Sequence, residues 1–293
     1  MSIINFTQPT LIRKLTPMTL TIDLTINTEL AKRILTGFIK TEITRVGFSR
    51  GVVAVSGGLD SAVSCYLAAD ALGPENVLAL RMPYKASSKD SLEHAQLVID
   101  ELGVRAQTIP ITDMVEPLFD RYPDADQVRR GNVMARSRMI VLYDQSAAFN
   151  GLVIGTSNKT EILLGYSTLY GDSACALNPI GDLYKTQLRQ LARALRVPEV
   201  IIDKPPSADL WQGQTDEDEL GFTYEDVDKL LYLLVDERYH PEDCIAEGFE
   251  EDFVRNVVTR IRRNHFKRVA PPIAKLSNRT VGYDFLYLRD WGT

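Results

Sequence analysis

This sequence has few cysteines and no excess of positive charge, and each of these facts disfavours a class of protein. The three cysteines, Cys65, Cys175 and Cys244, lie far apart and include no CxxC pair. They indicate neither a disulfide framework nor a zinc site, and a reducing cytoplasm is the expected location. Lys and Arg number 33 against 39 Asp and Glu, which gives a formal net charge of -6 at pH 7. Because nucleic-acid binding depends on clustered cations, we expect no nucleic-acid partner and favour small-molecule ligands.

Long apolar runs are also missing. The longest one in the body of the chain covers residues 230–235, far fewer than the roughly 20 residues that cross a bilayer. Residues 1–26 contain Pro9 and Pro17 but no continuous apolar stretch, so we interpret them as an N-terminal arm and not as a signal peptide. No membrane partner is expected, and residues 27–293 are predicted to form a single domain.

Strand-like and helix-like segments alternate through the first half of the chain. Short β-branched and apolar runs occur at residues 52–55, 77–82, 106–111 and 152–156. Helical composition fills the intervals, at residues 61–72, 89–102 and 131–149. This alternation is typical of an α/β fold, and we predict a doubly wound parallel sheet of about five strands flanked by helices.

Helical patterns also flank this region. A helix is predicted before the sheet, because apolar residues recur at helical spacing and Gly47 can close the segment. These apolar residues are Leu30, Ile34, Phe38, Ile39 and Ile43. Residues 203–224 combine prolines, glycines and an acidic cluster, and are predicted to be a functional lid or a disordered segment. Helices are expected again at residues 224–235 and 253–264.

A glycine-rich turn joins the first predicted strand to the helix after it. Its sequence is Ser56-Gly57-Gly58-Leu59-Asp60-Ser61. Backbone N–H groups at such a turn and the positive end of the following helix both favour an anion, and glycine lets the backbone come close to it. The serines add hydroxyl donors, and Asp60 could hold a magnesium ion against bound phosphates. The alternative is a tight turn in which Asp60 only caps the helix.

The fourth predicted strand ends in a second small-residue turn, which leads to Glu161. If the first and fourth strands are neighbours, their carboxyl ends form the crevice in which open α/β sheets usually bind ligands. Asp60 and Glu161 would then face the same crevice, and magnesium prefers a few carboxylates together with phosphate oxygens. The alternative is that Glu161 only complements the dipole of the helix that it begins.

The loop and several later motifs resemble those of known families. The SGGxDS form of residues 56–61 resembles the pyrophosphate-binding loop of N-type ATP pyrophosphatases and is neither GxxxxGK[ST] nor GxGxxG. Further matches are Gly155-Thr156, Glu161, Tyr170-Gly171-Asp172, Asn178-Pro179, Lys185-Thr186-Gln187, Pro206-Ser207-Ala208-Asp209-Leu210 and the segment 131–139. Together they resemble NAD synthetase over nearly the whole chain after residue 25.

The resemblance implies an adenine nucleotide alpha-hydrolase-like fold and a ligase that forms a C–N bond. In that reaction ATP adenylates the nicotinate carboxylate of deamido-NAD, pyrophosphate leaves, and ammonia displaces AMP to give NAD. The glutaminase domain of glutamine-dependent members has no counterpart in this sequence, so free ammonia is the inferred nitrogen donor. The resemblance also implies a homodimer, for which the predicted helix 131–149 is a candidate contact.

The family match assigns roles to individual residues. ATP contacts fall on Ser56, Gly57, Gly58, Asp60, Ser61, Thr156, Lys185 and Ser207, and magnesium contacts on Asp60 and Glu161. Arg81 joins the ATP contacts because it ends the second predicted strand, where it would face the adenylate. Deamido-NAD contacts fall on Arg136, His265, Phe266 and Lys267. Asp172 matches the acid that orients or deprotonates the incoming ammonium, and Lys185 would neutralise the separating phosphates. For Lys185, Arg136, Asp172 and the basic segment at 265–268, the alternative is an ordinary surface or turn residue.

Two departures and two rival functions remain open. Leu169 and Ala176 stand where many bacterial members carry Lys and Asp that contact deamido-NAD, so the mode of dinucleotide binding is not fixed. A different adenylating ATP pyrophosphatase with another carboxylate or carbonyl acceptor would share the loop. A non-catalytic adenine-nucleotide sensor is disfavoured, because simple binding does not require two magnesium carboxylates beside Lys185.

Overall fold

Four short parallel strands form the sheet in the computed structural model, which describes residues 22–207 and 215–284. The strands are β1 (Gly51–Ala54), β2 (Val77–Arg81), β3 (Arg105–Thr108) and β4 (Leu152–Ile154). Their spatial order is β3-β2-β1-β4, so β1 pairs with both β2 and β4. The first and fourth strands are therefore neighbours, and the direction of winding reverses between them.

The prediction of about five strands is wrong, because the described residues form four. After β4 the chain returns beside that strand and makes a single parallel bridge, from Ile154 to Leu177. The carbonyl of Leu177 accepts the N–H of Gly155 at 2.8 Å. Pro179 follows two residues later and has no N–H with which to continue a ladder. A fifth pairing thus begins at this edge of the sheet and stops after one bridge.

Twelve α-helices are present in the described residues. They are α1 (Thr28–Arg45), α2 (Leu59–Leu72), α3 (Lys89–Leu102), α4 (Thr112–Arg121), α5 (Gln127–Phe149), α6 (Lys159–Leu164), α7 (Lys185–Ala194), α8 (Glu199–Ile202), α9 (Asp216–Leu220), α10 (Tyr224–Leu231), α11 (Pro241–Ala246) and α12 (Glu251–Arg263). The bounds of α3 agree with the prediction. α5 begins earlier than predicted, because Asp126 caps it by accepting the N–H of Arg129 at 2.7 Å.

Helices lie on both faces of the sheet. Val53 and Ile154 face an apolar cluster that includes residues of α1, α2, α3, α7 and α8. Val52 and Val153 face a second cluster, which α4 and α5 complete. Successive residues of a strand point to opposite faces, so β1 and β4 must be apolar on both sides. The doubly wound α/β class is confirmed.

α1 is helical as predicted but buries a different stripe of its surface. The stripe that packs on the first cluster has a four-residue spacing and consists of Ala31, Leu35, Ile39 and Ile43. Three residues of the apolar pattern that predicted this helix face solvent, with exposed fractions of 49% for Leu30, 58% for Ile34 and 38% for Phe38. Gly47 follows the helix with a φ angle of +85°, as expected for a closing glycine.

A third apolar cluster lies beside the sheet and contains residues of α6, α10, α11 and α12. Tyr184 and Tyr224 are its largest fully buried side chains. The segment 224–235, predicted as one helix, is α-helical to Leu231 and then widens into a π-helical turn at Tyr232–Asp236. This cluster supports the first turns of α6 and α7, which carry two of the predicted site residues.

Two predicted segments lie partly outside the described residues. Of the arm 1–26 the description begins at residue 22, and residues 208–214 of the predicted lid, which include Ala208-Asp209-Leu210, lie outside it. The two described sides of this gap meet, because the N–H of Asp216 donates to the carbonyl of Pro206 at 2.9 Å. No helix in the described ranges combines the length and hydropathy of a bilayer-spanning segment.

Candidate active site

A crevice of about 520 Å³ opens at the carboxyl ends of β1 and β4. Its walls include the loop after β1, the turn after β4 and residues from the first turns of α6, α7 and α9. Because the winding of the sheet reverses between β1 and β4, this is the position at which open α/β sheets bind ligands. The crevice predicted from the two strand ends is therefore present.

Gly57 shapes the loop after β1. Its φ angle is +82°, and a Cβ atom there would lie 2.0 Å from the carbonyl oxygen of Ser91. Only glycine satisfies both conditions. The N–H of Ser56 donates to the hydroxyl of Ser61 at 3.2 Å, and that hydroxyl donates to the carbonyl of Gly58 at 3.0 Å. Gly58 precedes α2 without a side-chain cap, so no capping side chain competes with an anion for the first N–H groups of this helix.

Lys185 joins the two predicted metal carboxylates. Its side chain is only 3% exposed, and its Nζ lies 2.5 Å from Oδ2 of Asp60 and 3.3 Å from Oε1 of Glu161. The amide of Asn158 donates to the other oxygen of Asp60 at 2.7 Å. Burial alone lowers the pKa of Lys185, but the charges of Asp60 and Glu161 outweigh it and raise the pKa of the ammonium group. Lys185 is therefore a buried cation and not a surface lysine.

Glu161 is a helix-capping acid and a crevice acid at the same time. Its Oε2 accepts the N–H of Asn158 at 3.3 Å, as part of a capping box at the start of α6. Its Oε1 faces Lys185. Burial, followed by the charge of Asp60, raises the pKa of Glu161 to about 8. A cation placed beside Glu161 would stabilise the ionised form.

The pair Asp60 and Glu161 fits a divalent cation that prefers oxygen ligands. The ammonium of Lys185 already contacts both carboxylates, so the space between them accommodates a positive charge. Magnesium usually takes one or two protein carboxylates and completes its coordination with phosphate oxygens and water. Across the described residues no cluster of three or more His, Cys, Asp or Glu is arranged to hold a metal ion. With two protein carboxylates as ligands, a magnesium ion here would take its other ligands from phosphate oxygens and water.

Asp216 is a third crevice carboxylate, which sequence reasoning did not single out. It is only 4% exposed, and its two oxygens accept hydrogen bonds from the hydroxyls of Tyr166 at 3.0 Å and Tyr224 at 3.1 Å. Burial raises the pKa of Asp216 even though both hydrogen bonds lower it. The Tyr224 ring also lies 5.1 Å from Nζ of Lys185. The acidic run at 216–219 was the only signal in the sequence, and such runs are usually solvated.

Asp172 and Lys267 lie together on another wall of the crevice. The backbone N–H of Thr168 donates to Oδ1 of Asp172 at 2.7 Å. Asp172 is open to the crevice, but the surrounding walls displace bulk water, and this desolvation raises the pKa of its carboxyl group. Lys267 donates from Nζ to the carbonyls of Gly165 and Ser167, both at 2.7 Å. Asp172 is thus a desolvated carboxylate with surface facing the ligand space.

Most of the predicted site residues line this one crevice. Those that do are Ser56, Gly58, Asp60, Ser61, Arg81, Thr156, Glu161, Asp172, Lys185, Ser207 and Lys267. Four others do not line it. Gly57 lies behind the loop against Ser91. Arg136 is exposed and donates to the carbonyl of Leu169. Phe266 is 59% exposed, and His265 contacts Arg268. The assignment of Arg136, His265 and Phe266 to a dinucleotide stays a prediction.

Comparisons with known proteins point in one direction. The family model described as NAD synthase matches residues 31–271. A protein of Trichlorobacter lovleyi named NH(3)-dependent NAD(+) synthetase is 56% identical over 269 residues, which is 92% of this chain and 98% of that protein. A protein of Chlorobaculum parvum with the same name is 58% identical over 269 residues, 92% of this chain and 97% of the relative.

Solved structures agree with the sequence relatives. The NH3-dependent NAD synthetase from Campylobacter jejuni, in complex with the nitrate ion, superposes with a TM-score of 0.73 and 34% identity, and the match covers 85% of this chain and 100% of that chain. The NMN synthetase from Francisella tularensis gives a TM-score of 0.75 and 31% identity, over 87% and 100% of the two chains.

Proposed function

Because the chain belongs to the NAD synthase family, we propose that the crevice beside β1 and β4 is where it amidates deamido-NAD to NAD. The reaction is that of an ATP-dependent ligase, which uses ATP as a co-substrate and forms a C–N bond. One observation carries the proposal: Asp60, Glu161 and Lys185 converge within hydrogen-bond distance, next to the uncapped start of α2. A phosphate site, a place for a cation and a movable positive charge are the components that ATP cleavage requires.

The loop after β1 binds the phosphates of ATP in this proposal. Ser56 and Ser61 provide hydroxyl groups, and Gly57 and Gly58 bring backbone N–H groups close to the ligand. Arg81, Thr156 and Ser207 line the same crevice and supply the remaining ATP contacts. The internal hydrogen bonds of the loop fix its shape before the ligand arrives, so little ordering is required on binding.

Asp60 and Glu161 would hold a magnesium ion, which when bound neutralises phosphate charge and polarises the bond that breaks. The ammonium of Lys185, which lies beside both carboxylates, would turn toward the phosphates. There it stabilises the negative charge that develops as pyrophosphate leaves. Burial increases the strength of this interaction, because the surrounding medium has a low dielectric constant.

The proposed reaction has two chemical steps. A carboxylate oxygen of the nicotinate group attacks the α-phosphorus of ATP, and the bond to the pyrophosphate oxygen breaks. Ammonia then attacks the activated carbonyl carbon, its nitrogen loses one proton to water, and AMP leaves with the former carboxylate oxygen. Asp172 accepts the proton that ammonium must lose to become a nucleophile, and its raised pKa improves its match to this role. Lys267, on the same wall, contributes to binding deamido-NAD.

Several finer features of the proposal rest on the family and on the shape of the crevice. Ammonia is the nitrogen donor, as the names of the two bacterial relatives state for those proteins. The composition of residues 203–224, of which 208–214 lie outside the described residues, supports a lid that would keep water from the adenylate. A homodimer and a cytoplasmic location complete the proposal.

An assay with ATP, magnesium, ammonium and deamido-NAD tests this function when NAD and AMP are both quantified. We expect the two products in equal amounts. Formation of AMP without NAD would show that deamido-NAD is not the acceptor. If neither AMP nor NAD forms, the proposed enzyme class is wrong. A parallel reaction with nicotinate mononucleotide in place of deamido-NAD addresses the resemblance to the Francisella tularensis NMN synthetase, and we expect it to yield far less amide.

A further inference from the structure

Asp228 is a fully buried carboxylate that lies behind the crevice and does not line it. It is the fifth residue of α10 and has no exposed surface. Its Oδ1 accepts the hydroxyl of Thr160 at 2.5 Å, and its Oδ2 accepts the backbone N–H of Thr186 at 2.8 Å. A buried carboxylate is costly unless its oxygens are hydrogen-bonded, so these two contacts are needed for Asp228 to be tolerated.

The two partners of Asp228 adjoin the charged residues of the crevice. Thr160 directly precedes Glu161 in α6, and Thr186 directly follows Lys185 in α7. The backbone N–H of Lys185 also donates to the hydroxyl oxygen of Thr160 at 3.1 Å. A single carboxylate and a single hydroxyl therefore connect the first turns of both helices.

This connection fixes the geometry of the crevice charges. The Nζ of Lys185 and the Oε1 of Glu161 lie 3.3 Å apart, although they project from different helices. A shift of one helix start against the other would change that distance directly, and errors of about 1 Å in such a site can cost two orders of magnitude in rate. The negative charge of Asp228 also complements the positive end of the ten-residue helix α7.

We infer that Asp228 is a positioning residue for the ATP site, which holds the starts of α6 and α7 so that Glu161 and Lys185 both face Asp60. The inference rests on the proposed function of the crevice and adds a residue that touches neither ATP nor the reacting atoms. It also accounts for a buried carboxylate in a helix whose nearby residues Val227, Leu230 and Leu231 belong to the third apolar cluster.

Equilibrium binding of ATP with magnesium, together with the melting temperature, tests the inference in two variants. Asp228→Asn removes the charge and one acceptor, and Thr160→Val removes the shared hydroxyl while keeping the volume. At a temperature at which both variants are folded, we expect ATP to bind at least tenfold more weakly and kcat for NAD formation to fall by a similar factor or more. Thr160→Ser, which keeps the hydroxyl, should bind ATP as the wild type does.

Asp226→Asn is the matched control, because it makes the same chemical change at an exposed position of the same helix. It should leave ATP affinity and kcat unchanged. The inference is overturned if the Asp228→Asn and Thr160→Val proteins are folded and bind ATP with wild-type affinity. It is also overturned if both variants fail to fold, because Asp228 would then be a purely structural residue. If the wild-type protein binds ATP but forms no NAD, the proposed acceptor is wrong. The comparison of ATP binding between the variants is still valid in that case.

Discussion

At the scale of single residues, Lys185 sets the charge balance of the crevice. Its ammonium lies between Asp60 and Glu161, so Lys185→Met leaves two carboxylates facing each other without a cation. Breaking a buried ion pair costs about 3–5 kcal/mol, and we expect the variant to melt at a lower temperature than the wild type in metal-free buffer. Added magnesium should then raise its melting temperature more than that of the wild type, because the ion binds where the ammonium was.

Thermal melts with and without magnesium measure this effect, and AMP formation should fall by about 100-fold or more in the same variant. Lys229→Met serves as the control, because Lys229 forms only an exposed pair with Glu225, which contributes roughly 0.3–0.5 kcal/mol. An equal magnesium response in wild type and Lys185→Met would contradict the placement of a cation between Asp60 and Glu161.

The same residues show how far the sequence could predict the site. Asp60 was located from a local pattern, because the strand, the glycine turn and the helix follow one another directly. Glu161 was located from the turn that ends the fourth predicted strand, and the family resemblance added Lys185. Lys185 meets Asp60 across a separation of 125 residues, which no local pattern encodes. Asp216 and Asp228 were not predicted, since a carboxylate in a charged helical run is usually solvated, and only tertiary packing buries these two.

At the scale of secondary structure, the loop after β1 is the element that tolerates least change. In Gly57→Ala the new Cβ would lie 2.0 Å from the carbonyl oxygen of Ser91, at a φ angle of +82° that disfavours L residues. The loop or the start of α3 must shift. We expect ATP affinity to fall by tenfold or more, measured by calorimetric titration, with a loss of roughly 1–3 kcal/mol in the free energy of unfolding.

Gly37→Ala is the natural control for this substitution. Gly37 lies inside α1, and a Cβ there would meet no atom within 4 Å. Because alanine is favoured over glycine within helices by about 0.5–1 kcal/mol, this variant should be slightly more stable and bind ATP normally. Wild-type ATP affinity in Gly57→Ala would show that the loop does not hold the phosphates.

Element boundaries were predicted well where the local signals agreed and poorly where packing decided. Helix α3 has the predicted limits, because Ser88 caps its start and Gly103 ends it in a left-handed conformation. Strand β3 is an edge strand whose residues are all exposed, so its apolar pattern was weak and its predicted limits were shifted. The fifth strand fails because Pro179 ends the pairing after one bridge, which the alternation of segments could not reveal.

At the scale of the whole molecule, three apolar clusters place the crevice where the sheet meets the C-terminal helices. The first two cover the faces of the sheet, and the third supports the starts of α6 and α7 from outside it. The position of the crevice follows from strand order, whereas its charge depends on residues of α2, α6, α7 and α9. This division explains why the α/β class could be predicted from periodicity alone, while the full set of crevice acids could not.

The helix α5 leaves apolar surface uncovered, which is the basis for a prediction about assembly. Ile140 and Tyr143 are 55% and 40% exposed, whereas Val141 and Leu142 of the same helix are buried in the second cluster. Burying such side chains in a homodimer would stabilise it by about 25 cal/mol for each Å² of apolar area removed from water. We therefore expect a particle of twice the chain mass of 32.9 kDa by light scattering coupled to size exclusion.

Ile140→Asp should dissociate this dimer, because a charge buried at a subunit contact costs several kcal/mol without a partner. Ile34→Asp makes the same change at the exposed face of α1, where the starting residue is 58% exposed, and should leave the dimer intact. If the wild-type protein is a monomer, the homodimer prediction is wrong. If Ile140→Asp leaves the dimer intact and Ile34→Asp dissociates it, the subunit contact lies on α1 and not on α5. Because deamido-NAD affinity can be measured for the monomeric variant, the same protein shows whether the second subunit contributes to the dinucleotide site.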